Sequence, residues 1–167
     1  MKKAAKSAAV VGIVMGSDSD RQVMEETQRV LAEFGVGSEL VVRSAHRTPE
    51  AAAEWARTAR SRGLKVIVAA AGGAAHLAGA MAAHSRLPVL GVPLASSPLV
   101  GFDALLSTVQ MPPGIPVATV GVGKARNAGL LAVRILGTHD DALRTKLDDH
   151  RAALDTTVRE KDAKLQG

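Results

Sequence analysis

The sequence predicts an α/β protein built on a parallel sheet that helices cover on both faces. Short, almost continuous aliphatic runs alternate with longer stretches of helical periodicity, as in repeated strand–helix units. Each run ends in glycine or polar turn residues. Strands that are apolar throughout are typical of parallel sheets buried on both sides. We therefore expect five strands, at 9–15, 39–42, 66–70, 89–92 and 117–122.

Five helices are expected between and after these strands. Gly35 supplies the stop of the first helix, since glycine readily adopts the left-handed conformation that ends helices. Thr48 as N-cap and Pro49 as the first helical residue open the second. The fifth is highly charged, with its leucines on one stripe, and we expect it to pack on a neighbouring subunit. The helices span about 23–34, 49–62, 74–84, 124–136 and 140–163.

The 167 residues fit one catalytic domain. We expect residues 1–7 to be a disordered basic tail. Its lysines and the apolar run behind them imitate a short signal peptide, but Gly16 and a polar turn stand where a cleavage site belongs. No apolar run approaches the ~20 residues of a membrane span. These features predict a cytoplasmic protein without a membrane partner.

The composition limits the classes of function. The chain has no cysteine, which excludes disulfide scaffolds, thiolate catalysis and cysteine-based metal sites. Its net charge of +5 is scattered among acidic residues instead of collected in one run. Aromatic residues make up 2% of the chain, which leaves little to stack on bases. We therefore expect a small anionic substrate and no nucleic-acid polymer.

The first of three unusual loops follows the first predicted strand and runs from Gly16 to Asp20. Ligands of open parallel sheets bind at the carboxyl ends of strands. Because this loop leads into a helix, its backbone N–H groups and the Ser17 hydroxyl can bind a phosphate. A plain capping turn made by Ser19 or Asp20 explains the same residues. A metal held by Asp18 and Asp20 is less favoured, because companion ligands are missing.

The second loop carries Ser44, Ala45, His46 and Arg47 just before a helix. Histidine is the side chain that changes charge near neutral pH, and arginine grips phosphate or carboxylate with two parallel hydrogen bonds. This pair at the end of a strand favours a functional role over a structural one.

The third loop contains Gly72, Gly73, Ala74, His76 and Leu77. Its glycines and small side chains let the backbone approach a flat ring or an anion closely. A tight turn without chemical function is almost equally compatible with this composition.

The stretch 93–116 carries five of the seven prolines and no clear long element. A loop of that length in a compact domain is usually functional or an assembly contact.

Six ordered segments carry a resemblance to a known family: MGSDSD at 15–20, SAHRTP at 44–49, AGGAAHL at 71–77, PVLGVP at 88–93, VQMP at 109–112 and GIPV at 114–117. Together they resemble the class I N5-carboxyaminoimidazole ribonucleotide mutases of purine biosynthesis. The resemblance extends from about Val10 to Arg151.

The resemblance implies a flavodoxin-like three-layer α/β/α subunit with a five-stranded parallel sheet and an extra C-terminal helix, assembled as a homo-octamer. It implies an isomerase that needs no metal, no ATP and no organic cofactor, with a possible functional coupling to the synthetase that makes its substrate. His46 is the expected general acid and base. The expected substrate-binding residues are Gly16, Ser17, Asp18, Asp20, Ser44, Ala45, Arg47, Gly72, Gly73, Ala74, His76 and Leu77.

Two rivals stay open. A related branch carboxylates aminoimidazole ribonucleotide directly with carbon dioxide, and its members commonly read Ala-His-Lys where this chain has Ala45-His46-Arg47. A non-catalytic flavodoxin-like module for a nucleotide or a flavin is the second, although it would leave His46 and Arg47 without a task.

Overall fold

A parallel sheet of five strands forms the centre of the computed structural model, which describes residues 8–166. The strand order is β2-β1-β3-β4-β5, which is the flavodoxin-like order and confirms the predicted fold class. The expected tail at 1–7 lies outside the described residues. The strands are β1 (Val11–Met15), β2 (Ser38–Val42), β3 (Val66–Gly72), β4 (Val89–Leu94) and β5 (Ala118–Thr119).

Six α-helices lie on the two faces of the sheet among residues 8–166. The long α6 is the predicted extra C-terminal helix; it begins one residue after the expected start and ends three residues after the expected end. The helices are α1 (Arg21–Glu33), α2 (Pro49–Thr58), α3 (Leu77–His84), α4 (Phe102–Val109), α5 (Ala125–Gly137) and α6 (Asp141–Gln166).

The core has two layers because the sheet is buried on both faces. On one face α1 and α5 pack against every second residue of β1, β3 and β4. On the other face Trp55 of α2 and Met81 of α3 pack against Val14 and Ile67. Every residue of β1 is buried, whereas β2 at the edge is only partly covered. Alternate residues of one strand thus hold helices on opposite faces.

The second helix is shorter than predicted, and Thr48 does not cap it through its side chain. The helix ends at Thr58, and the backbone continues in turns to Gly63. The Thr48 hydroxyl instead donates to the Ser44 carbonyl at 3.0 Å and accepts from the Ser44 N–H at 3.1 Å. Thr48 therefore closes the loop that carries His46, and leaves the helix start uncapped by side chains.

The third helix begins at Leu77, later than the predicted start just after Gly73. Two tight turns intervene, in which the N–H of Ala75 donates to the Gly73 carbonyl and that of His76 to the Ala74 carbonyl, both at 2.8 Å. Gly73 itself has a φ of +59°, a left-handed conformation that glycine adopts without strain. The loop between β3 and α3 is therefore longer than expected.

The stretch 93–116 was expected to be a loop with no clear long element, but it contains the eight-residue helix α4. This short helix buries the small residues Ala104 and Thr108 and exposes Phe102, Leu106 and Val109. Phe102, Leu105, Leu106 and Val109 have the spacing of an apolar helical stripe. In the isolated chain this stripe faces outward, and the small residues face the sheet.

The fifth strand is also shorter than its apolar run. Only Ala118 and Thr119 pair with β4, through Leu90 and Gly91. The chain then turns at Gly123, whose N–H donates to the Pro93 carbonyl at 2.9 Å and whose φ is +68°. The glycines of this turn, and not the hydrophobicity of the run, set the end of the strand. No helix in the described part of the chain is long and apolar enough to cross a membrane.

Candidate active site

A pocket of about 290 Å³ opens at the carboxyl edge of the sheet, where β1 and β3 lie side by side. Its walls come from the loops after β1, β2, β3 and β4. The lining residues are Gly16, Ser17, Ser19, Asp20, Ser44, Ala45, His46, Arg47, Ala71, Gly72, Ala74, Leu77 and Ser96.

The structure brings most of the predicted site residues to this pocket. The exceptions are Asp18, Gly73 and His76, which do not line it. Asp18 borders a separate depression beside β2, and His76 reaches the pocket only through its contact with His46.

Three residues that line the pocket were not predicted from the sequence, namely Ser19, Ala71 and Ser96. Ser96 lies two residues after the end of β4, so the rule that ligands bind at the carboxyl ends of strands could have found it.

The loop after β1 is a capping box as well as a pocket wall. The Ser17 hydroxyl accepts from the Ser19 N–H at 3.3 Å, and the Asp20 carboxylate accepts from the Ser17 N–H at 3.2 Å. These bonds satisfy the start of a short 3₁₀ turn that runs directly into α1. The Ser19 hydroxyl also donates to Ser17 at 2.9 Å. Capping thus fixes the two serine hydroxyls at the mouth of the pocket.

Asp20 is the one buried carboxylate of this loop, with 8% of its surface exposed. Burial raises the pKa of its carboxyl above the ordinary value, and the hydrogen bonds from Ser17 and Ser19 offset only part of that effect. The neighbouring charge of Asp18 raises the pKa further. The fold therefore carries a charge here at a cost in free energy, which is typical of functional positions.

Arg47 spans the loops after β1 and β2. Its guanidinium donates to the Gly16 carbonyl at 3.0 Å and to the Ser44 hydroxyl at 3.4 Å. None of the salt bridges formed within residues 8–166 involves Arg47. The guanidinium is thus oriented by neutral oxygen atoms and keeps its charge available for an anionic ligand.

His46 and His76 are joined by a hydrogen bond between their rings. The Nε2 atom of His46 lies 3.0 Å from the Nδ1 atom of His76, and the rings meet edge to face at 89°. One nitrogen must donate and the other accept, so this bond allows at most one of the two rings to be an imidazolium. Both rings are exposed, which leaves them in contact with solvent and ligand.

Residues 8–166 hold no group of three or more histidine, cysteine, aspartate or glutamate side chains that could ligate a metal.

The fold is that of a flavodoxin-like α/β protein, with a pocket that contains a histidine at its switch point. A family model described as AIR carboxylase matches residues 10–157. The chain belongs to this family.

Several relatives are similar over nearly their whole length. The N5-carboxyaminoimidazole ribonucleotide mutase of Synechocystis is 54% identical over 94% of this chain and 89% of its own. The Mycobacterium tuberculosis H37Rv protein of that name is 55% identical over 93% and 90%. The phosphoribosylaminoimidazole carboxylase of Candida albicans is 52% identical over 92% of this chain but only 27% of its own. The structure of Treponema denticola PurE has a TM-score of 0.83 at 27% identity and covers 94% of this chain and 98% of that one.

Asp20→Asn is expected to raise the melting temperature at pH 7. The substitution removes a buried charge and keeps an oxygen that can accept from Ser17. Because the folded-state pKa of Asp20 is raised, the charge destabilises the folded protein at neutral pH, and this cost disappears as the pH falls through that pKa. Thermal unfolding between pH 7 and pH 4 should show the gain shrinking with acid. A lower melting temperature than that of the wild type at pH 7 would contradict this interpretation.

Proposed function

We propose that this protein is an N5-carboxyaminoimidazole ribonucleotide mutase of de novo purine synthesis. The reaction moves a carboxyl group from the exocyclic nitrogen to C4 of the aminoimidazole ring. The observation that carries the proposal is that His46 and the Arg47 guanidinium, which forms no salt bridge within residues 8–166, line the same pocket. Relatives with that name, at 54–55% identity, support the substrate.

The phosphate and ribose bind at the loops after β1 and β2. Arg47 and the Ser17 hydroxyl hold the phosphate, which also lies near the N-terminal end of α1. The Asp20 carboxylate accepts hydrogen bonds from the ribose hydroxyls. Gly16, Ser44 and Ala45 form the pocket wall on the side of these two loops. Asp18 acts indirectly, because its carboxylate accepts from the Ser17 hydroxyl at 3.3 Å.

The ring and the migrating carboxylate bind at the loop after β3. Gly72, Ala74 and Leu77 line the pocket with small or apolar groups, which give a flat heterocycle room to lie against the backbone. The turns at Gly73 set the path of this loop and bring His76 to His46.

His46 carries a proton in both halves of the reaction. As an imidazolium it donates to the exocyclic nitrogen while the bond between that nitrogen and the carboxylate breaks, which releases carbon dioxide into the pocket. The electron-rich C4 then attacks the carbon dioxide, and the neutral His46 accepts the proton that C4 loses. Confinement next to C4 raises the effective concentration of carbon dioxide. No metal, ATP or organic cofactor takes part in this proposal.

His76 positions the proton carrier. Its Nδ1 atom lies 3.0 Å from His46 Nε2, so its lone pair can accept a hydrogen bond from His46 when that ring is charged. The bond holds the His46 ring in one orientation between the two proton transfers.

The rival activity, direct carboxylation of aminoimidazole ribonucleotide, is the one named for the Candida albicans relative. Assays of both nucleotides with and without added bicarbonate separate the two activities. We expect bicarbonate-independent conversion of the N-carboxylated nucleotide.

Assembly as a homo-octamer in the cytoplasm, with possible coupling to the synthetase that makes the substrate, belongs to the same proposal. Two apolar surfaces of the isolated chain support assembly. One is the outer side of α4 with the preceding Leu99 and Val100, whose φ of +47° is rare for a β-branched residue. The other is the stripe of Leu154, Val158 and Leu165 on α6, which are 51%, 66% and 86% exposed.

His46→Asn is expected to lower kcat by about 10²–10⁴-fold, the usual contribution of general acid–base catalysis, with KM close to that of the wild type. Steady-state kinetics with the N-carboxylated nucleotide provides the measurement. His139→Asn is the control, because His139 lies at the opposite end of the sheet near Lys65. Near-wild-type turnover of His46→Asn would remove His46 from the mechanism.

Arg47→Ala is expected to raise KM by roughly tenfold to a hundredfold, the range for a lost hydrogen bond to a charged group. The matched control is Arg43→Ala, since Arg43 precedes the same loop but bonds the Val42 carbonyl and does not line the pocket. Equal KM values for Arg47→Ala and Arg43→Ala would show that Arg47 does not bind the phosphate.

The double substitution Leu154→Asp and Val158→Asp is expected to yield a smaller assembly, since charges on the α6 stripe would be buried in an interface at high cost. Size-exclusion chromatography with light scattering measures the mass. Thr156→Asp adds a charge to the opposite side of the helix and should leave the mass unchanged. An unchanged mass in the double variant would refute a role for the stripe in assembly.

A further inference from the structure

Ser96 stands at the carboxyl end of β4 and lines the pocket opposite the phosphate loops. Its hydroxyl forms no hydrogen bond with the groups of residues 8–166, whereas the next residue, Ser97, uses its own hydroxyl in two. A free serine hydroxyl can donate one hydrogen bond and accept two. Ser96 is therefore equipped to contact a polar ligand.

The Ser96 side chain is held directly over Gly72. A Cβ atom built on Gly72 would lie 1.7 Å from the Ser96 Oγ atom and 2.8 Å from its Cβ atom. Any side chain at position 72 would displace Ser96 or the backbone around it. The absence of a side chain at Gly72 thus gives the hydroxyl its place beside the loop that receives the ring.

Hydrogen bonds of Ser97 with Asp103 and Leu99, here called the Ser97 clasp, fix the backbone that follows Ser96. The Ser97 hydroxyl donates to the Asp103 carboxylate at 2.7 Å and accepts from the Leu99 N–H at 3.1 Å. This hydrogen bond from Ser97 holds the pKa of the Asp103 carboxyl below its usual value. The Val100 N–H donates to the Ser97 carbonyl at 3.0 Å, which closes the turn. The Ser97 clasp thus connects the loop after β4 to the first turn of α4.

The strand order places Ser96 at the ring end of the substrate. β4 lies two positions from β1, and neighbouring strands are about 4.8 Å apart, so the two strand ends are separated by roughly 10 Å. That separation is comparable with the reach of a ribonucleotide from its phosphate to its base. A phosphate held by the loop after β1 leaves the carboxylated ring next to Gly72 and Ser96.

We propose that the Ser96 hydroxyl donates a hydrogen bond to the substrate carboxylate and so distinguishes carboxylated nucleotides from aminoimidazole ribonucleotide. The inference rests on the proposed function, because it takes its ligand from that reaction. Asp103 is a positioning residue that acts through Ser97.

Binding of two nucleotides tests this role. Isothermal titration calorimetry is carried out with the 4-carboxylated aminoimidazole ribonucleotide and with the uncarboxylated one, on the wild type, Ser96→Ala and Ser96→Thr. Ser61→Ala serves as control, since its hydroxyl bonds the Thr58 carbonyl beyond α2. We expect Ser96→Ala to lower the affinity for the carboxylated nucleotide about tenfold, which is the effect of one hydrogen bond to a charged group. Its affinity for the uncarboxylated nucleotide should stay within about twofold, and Ser96→Thr should restore selectivity.

If Ser96→Ala lowered the affinity for both nucleotides equally, or for neither of them, the proposed role of Ser96 would be refuted. Turnover by the wild type is measured on the same preparations. A wild type that binds both nucleotides but does not interconvert the carboxylated isomers would refute the proposed function alone, because selectivity is measured without turnover. A wild type that binds neither nucleotide would refute both.

Discussion

The site depends on one topological constraint, the position of β1 and β3 as neighbours in a parallel sheet. The chain leaves β1 toward β2 on one side and leaves β3 toward β4 on the other, so the loops that follow the two strands diverge and leave a crevice. The crevice is lined by the capping box of Ser17, by His46 of the loop after β2 and by the backbone of Gly72. Residues far apart in sequence meet there because parallel strands all end at the same edge.

The chemistry of the crevice conflicts with the stability of the fold. The buried Asp20 carboxylate costs free energy, because burial disfavours its charged form. The Ser17 N–H and the Ser19 hydroxyl offset part of that cost. The apolar layers on the two faces of the sheet supply the rigidity that keeps these groups in place.

The sequence predicted the sheet, most helices and most of the pocket wall, because strand-end loops are recognisable where glycine and polar residues interrupt buried runs. It did not predict the bond between His46 and His76, since the long loop that brings His76 back to His46 depends on turns at Gly73. Helix α4 was missed because the prolines around it predicted a loop, although its apolar residues have helical spacing. Ser96 was missed because its proline-rich surroundings predicted an irregular loop, although it follows a buried strand.

In the proposed reaction, carbon dioxide is released and recaptured within this crevice, beside His46. The most direct test is to supply the purified protein with nucleotide whose N-carboxyl group is labelled with ¹³C, in a buffer of unlabelled bicarbonate, and to follow the label by NMR. Because the released carbon dioxide stays in the pocket, we expect the C4-carboxylated product to retain the label. A product that carries unlabelled carbon from bicarbonate, or no C4-carboxylated product at all, would contradict it.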